Sequence, residues 1–571
     1  MPFESPVRDY QFIFENIVPL APVAATDQFS EATGDMAQAI LTECGKMCDQ
    51  VLAPLQRNGD LHPATLENGV VRTSPGFDGG YTAIADGGWI GLSADPKFGG
   101  MGLPHMLNSA FHDMSTGACM SLNLCPLLSQ GQIEALEAHA SPDLQDMYLP
   151  KLISGQWTGT MNLTEPHAGS DVGALTSKAV PNGDGTYAIT GQKIFITWGE
   201  HDVAENICHL VLARLPDGVP GPKGITLFMV PKFIPNADGS LGDRNNLRCV
   251  SLEHKMGIHG SPTAVMEYSG ATGWLVGEEH NGMACMFTMM NNARLAVGIQ
   301  GVGQAEAAFQ HALAYANDRK QGRSMMPSGG TGAIIDHADV RRMLTEMRAD
   351  IFAARCIGAA CAQAIDLAHA TGDKTTKARA ALLTPIAKAF GSDVGVRVAD
   401  MGVQIHGGMG FIEETAAAQF LRDVRITPIY EGTNGIQAMD LTARKMMDGG
   451  EAAFALLDEI TEFAATQGAL GEAVAQATDC MRDTTKWLVA QTDMNDRFAG
   501  AVPYLSAFAR VLGGYFHLRA AAANDATGDA TRAKFAAFYV ASLLPEHASL
   551  CAQAKLGAAA LYALGPDDFA A

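Results

Sequence analysis

A change of texture partway along the chain limits its fold more than any other feature. Up to about residue 157 the sequence reads mostly as helix, with few breakers and helically spaced apolar positions over 27–52. From there to about residue 273 the runs become short, β-branched and aromatic: TYAITG (186–191), KIFIT (193–197), NICHLVLARL (206–215) and GITLFMVP (224–231). Gly, Pro, Asn and Asp separate them, which predicts a sandwich or barrel. After residue 278 the helical pattern returns. Val340, Leu344, Met347 and Ile351 share one helix face, with Asp336 or Asp339 as its N-cap. MMPSGGTGA (325–333) reads as a flexible surface loop. A last segment, from Asp448, is Ala-rich and helical, with breaks expected at Pro503, Gly513–Gly514 and 524–528. The predicted fold is mainly α with an inserted β-barrel domain. Its expected domains are 1–157 (helical), 158–275 (β-barrel), 276–447 (helical) and 448–571 (a C-terminal helical extension). Strands and long helices do not alternate, which argues against a doubly wound sheet.

Composition excludes several classes of function. With 47% hydrophobic and 18% charged residues, the chain has ample material for a core. Its 39 Lys+Arg against 61 Asp+Glu give a formal charge of −22, a field that repels nucleic-acid phosphates. Of the 11 cysteines none forms a CxxC pair, and no Cys/His quartet has zinc spacing, so no metal is expected. Reduced thiols in a cytoplasmic protein are the simple reading. The N-terminus lacks a basic region followed by an apolar one, and no run of eighteen apolar residues occurs. No export signal or membrane insertion is expected.

Four segments stand out. LTEPHAGSD (163–171) carries hydroxyls at Thr164 and Ser170 and a Gly where backbone can approach a ligand. It is either an anion-binding turn or simply a turn. The hairpin-like ITGQKIFITWG (189–199) would put Phe195 and Thr197 on one strand face, where a planar ring could stack and bond; an aromatic pair in a β core is the other reading. QIHGGMGF (404–411) has closely spaced glycines but does not open a helix after a strand, so it is no dinucleotide fingerprint. Its His406 reads as structural. In RDVRITPIYEGTNGIQAMDL (422–441), Glu431 lies between Tyr430 and Gly432 in a break between helices. There it is either a solvated loop carboxylate or a general base with a raised pKa.

Together, in this order and spacing, these segments closely resemble the acyl-CoA dehydrogenase family over roughly residues 40–446. The resemblance implies FAD as cofactor. Leu163 and Thr164 match the contacts to the flavin's pyrimidine side, Ser170 the pyrophosphate contact, Phe195 the ring against the isoalloxazine and Thr197 the bond to flavin N5. Arg319, Gln404, Gly407 and Gly408 match residues that reach the FAD of a neighbouring subunit, which implies a homodimer or homotetramer. Thr433 matches a further FAD contact. Glu431 matches the catalytic base, and Arg294, Tyr430 and Gly432 are assigned to substrate binding. A branch of the family supplies the base from an earlier helix; here that place, 291–293, holds no carboxylate.

The implied chemistry is α,β-dehydrogenation of an acyl-CoA thioester. Glu431 takes the α-proton and the β-hydride passes to flavin N5. The Glu431 amide and a flavin ribityl hydroxyl hold the thioester carbonyl, and an electron-transfer flavoprotein reoxidises the flavin. Three positions depart from the usual pattern: Phe195 for Trp, Gly322 for Phe and Gly435 for Gln. FAD is therefore expected to be held somewhat differently. The C-terminal extension, EHKMGIHGSPTAVM (253–266) and FITWGEHD (195–202) are similar to a larger bacterial branch acting in dimethylsulfoniopropionate breakdown. The expected substrate is then 3-methylmercaptopropionyl-CoA. A general short- or medium-chain enzyme of fatty acid β-oxidation, an acyl-CoA oxidase and a non-catalytic flavoprotein binding module remain open.

Overall fold

The computed structural model describes residues 3–323, 325–326, 329–527 and 530–570. It is mostly helical and carries one seven-stranded sheet. The chain divides into two compact units. The first comprises Met1–Ser5, Glu43–Leu103 and Met114–Ala293; the second comprises Pro6–Thr42, Pro104–Asp113 and Arg294–Ala571.

The sheet lies in the first unit. Its strands are β1 (Trp157–Asn162), β2 (Lys178–Pro181), β3 (Tyr187–Thr197), β4 (Asn206–Arg214), β5 (Ile225–Pro231), β6 (Leu247–Leu252) and β7 (Thr263–Val276). They pair in the order β6-β7-β3-β2-β4-β1, and β5 pairs with both β7 and β4. β5 and all of β4 except Arg214 are buried, as their unbroken apolar runs require. The core packs Ile189, Ile196, Val211, Phe228, Met266 and Tyr268 together. The segment 189–199 is not a hairpin. Residues 189–197 belong to the single strand β3, because β7 pairs with it from Tyr187 to Thr197, with a bulge on β3 at Ile194–Phe195.

The second unit is built on long helices: α1 (Gly282–Asp318, of which the part from Arg294 lies here), α2 (Ala338–Thr371) and α3 (Lys374–His406). Gly372, at φ +67°, ends α2, and the Asp373 carboxylate accepts from the Thr376 amide (2.8 Å) to start α3. α1 and α3 approach backbone to backbone through Gly298, Gly301 and Gly391. A Cβ at Gly301 would lie 2.2 Å from the Gly391 carbonyl oxygen. α2 is long and apolar enough to cross a membrane, but 83% of its apolar window is buried in the protein, as expected of a core helix.

Two local expectations need correction. Neither Asp336 nor Asp339 caps α2. His337 holds the N-cap position without a side-chain bond, while Asp336 accepts from the Thr331 and Gly332 amides and Asp339 pairs with Arg342. Part of the 325–333 loop (Pro327, Ser328) lies outside the described residues. In the C-terminal segment a helix runs unbroken from Ala501 to Thr527, through Pro503 and Gly513–Gly514. Pro503 sits in its first turn, where no intrahelical N–H is lost. The two glycines are packing residues: a Cβ at Gly513 would lie 2.1 Å from Tyr539 Oη.

A buried ionic network ties the second unit together. Arg355 donates to Asp113 (2.7 Å), Glu306 (3.0 Å) and Asp9 (3.2 Å). Arg348 bonds Asp9 (2.6 Å) and Glu306 (3.1 Å), Arg532 also pairs with Asp9, and the Tyr10 hydroxyl donates to Asp113 (2.8 Å). The C-terminal segment adds Arg510, bonded to Asp350 (2.5 Å) and Glu546 (2.6 Å).

Candidate active site

In the first unit the turn 163–171 and strand β3 are fastened to each other. The Ile194 amide donates to the Thr164 carbonyl (2.9 Å), and the Lys193 ammonium donates to the Leu163 carbonyl (3.0 Å) and the Glu165 carboxylate (2.9 Å). Glu165 also accepts from Thr176 N (2.7 Å), Thr176 Oγ1 (2.9 Å) and Ser177 N (3.0 Å). Burial pushes its pKa up, but Lys193 and these donors prevail and hold it at about 2. Burial brings Lys193 down to about 8 even with Glu165 opposing. The pair therefore anchors the turn, and the reciprocal amide–carbonyl bonds of Glu165 and Ala168 (3.0 Å each) close it.

That anchored turn stands beside an unusual strand end. Opposite Val265 of β7, β3 carries a bulge, and Phe195 adopts φ +60°. A non-Gly residue there costs about 1–2 kcal/mol. The bulge breaks strict alternation: Lys193 and Ile196 are buried, whereas Phe195 is turned outward and is 58% exposed, with Thr197 half-buried. Phe195 and Trp198 are thus not a core pair. Trp198, also at positive φ (+54°), is buried, donates to the Ser121 carbonyl (3.1 Å) and stacks on Phe77. Ser170 is exposed and Leu163 is buried.

In the second unit, Glu431 lies in the connection between the helix Ala417–Val424 and α4 (Asn434–Thr442). It too is left-handed, at φ +55°, and is followed by Gly432 at +82°. Gln437 Nε2 donates to the Glu431 carbonyl (3.2 Å) and leaves no room for a Cβ at Gly432, which would lie 2.7 Å from it. Thr433 caps α4 by accepting from the Ile436 amide (3.2 Å). The Tyr430 hydroxyl donates to Gln300 Oε1 of α1. The half-buried Glu431 carboxyl is pushed up to about 7 by burial, against the opposing pull of Arg294 and Lys388. Burial in turn lowers Arg294, with Asp440 and Glu431 opposing. Of the residues expected from sequence, Glu431, Arg294, Tyr430, Gly432 and Thr433 therefore come together here.

Arg319, just past α1, and Gln404, Gly407 and Gly408 at the end of α3 are exposed on the same unit. Gly407 has φ +61°, and no atom lies within 4 Å of a Cβ built on either glycine. His406 is structural in this setting: its Nδ1 donates to the Gly402 carbonyl (2.7 Å) and its ring stacks on His311 and Tyr315.

The sequence reading missed Lys193–Glu165, Lys388 and Asn434. A signal existed for Lys388, a lone cation in the apolar helical run LLTPIAKAF (382–390). Glu165 stands inside the LTEPHAGSD motif, but its role depends on a partner 28 residues away in the chain.

The fold and this set of residues define a class, and comparison with known proteins agrees. Models of the N-terminal, middle and C-terminal acyl-CoA dehydrogenase domains match residues 36–156, 160–271 and 280–446, and an acetyl-CoA dehydrogenase C-terminal-like model matches 456–565. The chain belongs to the acyl-CoA dehydrogenase family, whose members are FAD-dependent enzymes of acyl-CoA oxidation. It is 48% identical over 519 residues to the 3-methylmercaptopropionyl-CoA dehydrogenase of Ruegeria pomeroyi, covering 88% of each chain. A butyryl-CoA dehydrogenase of Syntrophomonas wolfei is 34% identical over 580 residues, covering 94% of each. The Bacillus anthracis acyl-CoA dehydrogenase, solved with FAD, shares the fold with a TM-score of 0.74 at 20% identity, covering 94% of this chain and 90% of that one.

Proposed function

We propose that this chain converts 3-methylmercaptopropionyl-CoA to methylthioacryloyl-CoA, with Glu431 as the base. The observation that carries the mechanism is the Glu431 carboxyl itself: half-buried, held on a left-handed turn, and poised near neutral pH beside Arg294. The similarity to the Ruegeria pomeroyi enzyme supports the substrate. In this reading the Glu431 carboxylate removes the α-proton while the β-hydrogen leaves as hydride, so that a Cα=Cβ bond forms. The Glu431 amide donates to the thioester carbonyl and stabilises its developing enolate charge. Arg294, Tyr430 and Gly432 shape the substrate side.

FAD, when bound, supplies the two-electron hydride acceptor. The residues fit it: a bulge turns the Phe195 ring outward beside Thr197, and the Ile194–Thr164 bond keeps the Leu163–Thr164 turn next to that ring. Ser170 completes the contacts within the first unit, and the family likeness alone assigns Thr433 a further FAD contact. The exposed Arg319, Gln404, Gly407 and Gly408 are read as contacts to the FAD of a neighbouring subunit in a homodimer or homotetramer. An electron-transfer flavoprotein is the proposed electron acceptor and the bacterial cytoplasm the proposed location. All 11 cysteines being free thiols accords with that compartment. The sheet is read as a barrel, on the ring of pairings β7-β3-β2-β4-β5-β7. The domains are read as 1–157, 158–275, 276–447 and 448–571.

A panel of acyl-CoAs with an artificial electron acceptor tests the substrate. Turnover of the sulfur thioester must exceed that of an aliphatic chain of equal length; equal turnover points instead to general β-oxidation. Two further outcomes follow. The acid limb of kcat/KM should fall about tenfold per pH unit below about 7, where Glu431 protonates; a limb near 4.5 would contradict this. Phe195→Gly should keep or slightly raise the melting temperature of flavin-free protein, because it removes backbone strain, yet weaken flavin retention in a filtration assay. Unchanged retention would remove Phe195 from the flavin contacts.

A further inference from the structure

We propose that Lys388 is a positioning residue for the reaction: its ammonium clamps the base loop at both ends and supplies the buried positive charge that keeps the Glu431 carboxylate available as a base. This rests on the reading of Glu431 as the base.

Lys388 sits on α3 with its side chain fully buried, a costly place for an ammonium unless something compensates it. Two acceptors do so. Its Nζ donates to the Thr427 carbonyl (2.9 Å), just before the base loop, and to Asn434 Oδ1 (2.9 Å), just after it. Asn434 is itself fixed, donating to Asp393 Oδ1 (2.7 Å), Ser392 Oγ (3.0 Å) and the Ala389 carbonyl (3.2 Å). One cation thus ties both ends of the segment that carries Glu431 in its left-handed conformation to a rigid helix. A neutral donor could make the same bonds. The charge is what acts on Glu431.

The surrounding charges leave Lys388 with a clear part in this. Glu431 is faced by two cations, Arg294 from α1 and Lys388 from α3, and by the neutral Tyr430 phenol. Arg294 divides its field between Glu431 and Asp440, with Arg444 nearby. Lys388 is faced by Glu431 first and by Asp393 second, and Asp393 is also faced by Arg397 and Arg425. Burial alone would take Glu431 further into the neutral form, which cannot accept a proton; the cations oppose that.

The test compares the flavin-loaded full chain with its Lys388→Met, Lys388→Gln, Lys388→Arg and Glu431→Gln variants. In Lys388→Met the acid limb of kcat/KM should move to higher pH by about one unit. Lys388→Arg, which keeps the charge, should leave the limb in place whatever its rate. Lys388→Gln, a neutral donor, should move it as Met does, and serves if the Met variant fails to accumulate. An infrared titration of the Glu431 carboxyl, taken as the difference from Glu431→Gln, should move equally without turnover. If folded neutral variants lose rate with an unmoved limb and carboxyl titration, Lys388 is a brace only and the proposal fails. If Glu431→Gln still reduces its flavin with substrate, the base assignment fails instead.

Discussion

Glu431→Gln should retain the yellow flavin and bind acyl-CoA, yet no longer bleach when substrate is added. The amide is nearly isosteric with the acid, so the loop, its Gln437 bond and the Thr433 cap have no reason to change. What is lost is the only group at this position that can accept a proton. General-base catalysis is worth about 10²–10⁴-fold. Stopped-flow reduction of the flavin should therefore slow by at least that factor, and normal bleaching would overturn the assignment.

The same variant should be more stable than the parent at alkaline pH. A carboxyl raised to about 7 in the fold, against roughly 4.3 when unfolded, makes folding less favourable as pH rises through that window. The penalty is complete above about pH 7 and absent below about pH 4. Gln does not titrate, so its melting temperature should exceed the parent's at pH 8 and match it near pH 4. The difference is at most about 4 kcal/mol, and solvent reaching the half-buried group reduces it. The raised Glu431 carboxyl is thus held at a cost in stability that the rest of the second unit must offset.

The second large effect should come from Arg355→Met. Arg355 is fully buried and satisfies Asp113, Glu306 and Asp9 at once. Removing it strands carboxylates without their central cation, which costs about 3–5 kcal/mol. Whole domains are stable by about 5–15 kcal/mol, so denaturant midpoints should fall sharply. Arg348→Met, at a partly exposed site in the same network, should cost less. Equal midpoints for Arg355→Met and the parent would show that the network adds nothing. Asp9 gives the network its acid sensitivity. Burial raises its pKa, but Arg348, Arg532 and Arg355 prevail and hold it at about 2. Its share of the stability is complete above the unfolded value near 4 and is lost as pH falls through 2.

Much of this was legible before any coordinates. The runs NICHLVLAR and ITLFMVP read as strands, and both are strands, almost wholly buried. The break between helical stretches around Glu431 put it outside a helix, and it is. Reading failed where a distant partner overrode a local rule. Gly513–Gly514 looked like a break but lies within a helix, because Tyr539 packs where a side chain would be. Alternation placed Phe195 on a regular strand; a bulge opposite β7 turns it outward with a left-handed backbone. Glu165 looked like one more loop carboxylate until Lys193 was seen buried against it.

By itself the sequence determined which chemical groups are present and the local period in which they occur, because both are set by residues a few positions apart. That was enough for helix, strand and the family, and for the proposal of Glu431 as the base. Only the tertiary structure decided the state of those groups. Whether Glu431 is a solvated anion or a poised base depends on burial and on Arg294 and Lys388, which come from other helices. Desolvation and charge act through space, so no local pattern along the chain encodes them.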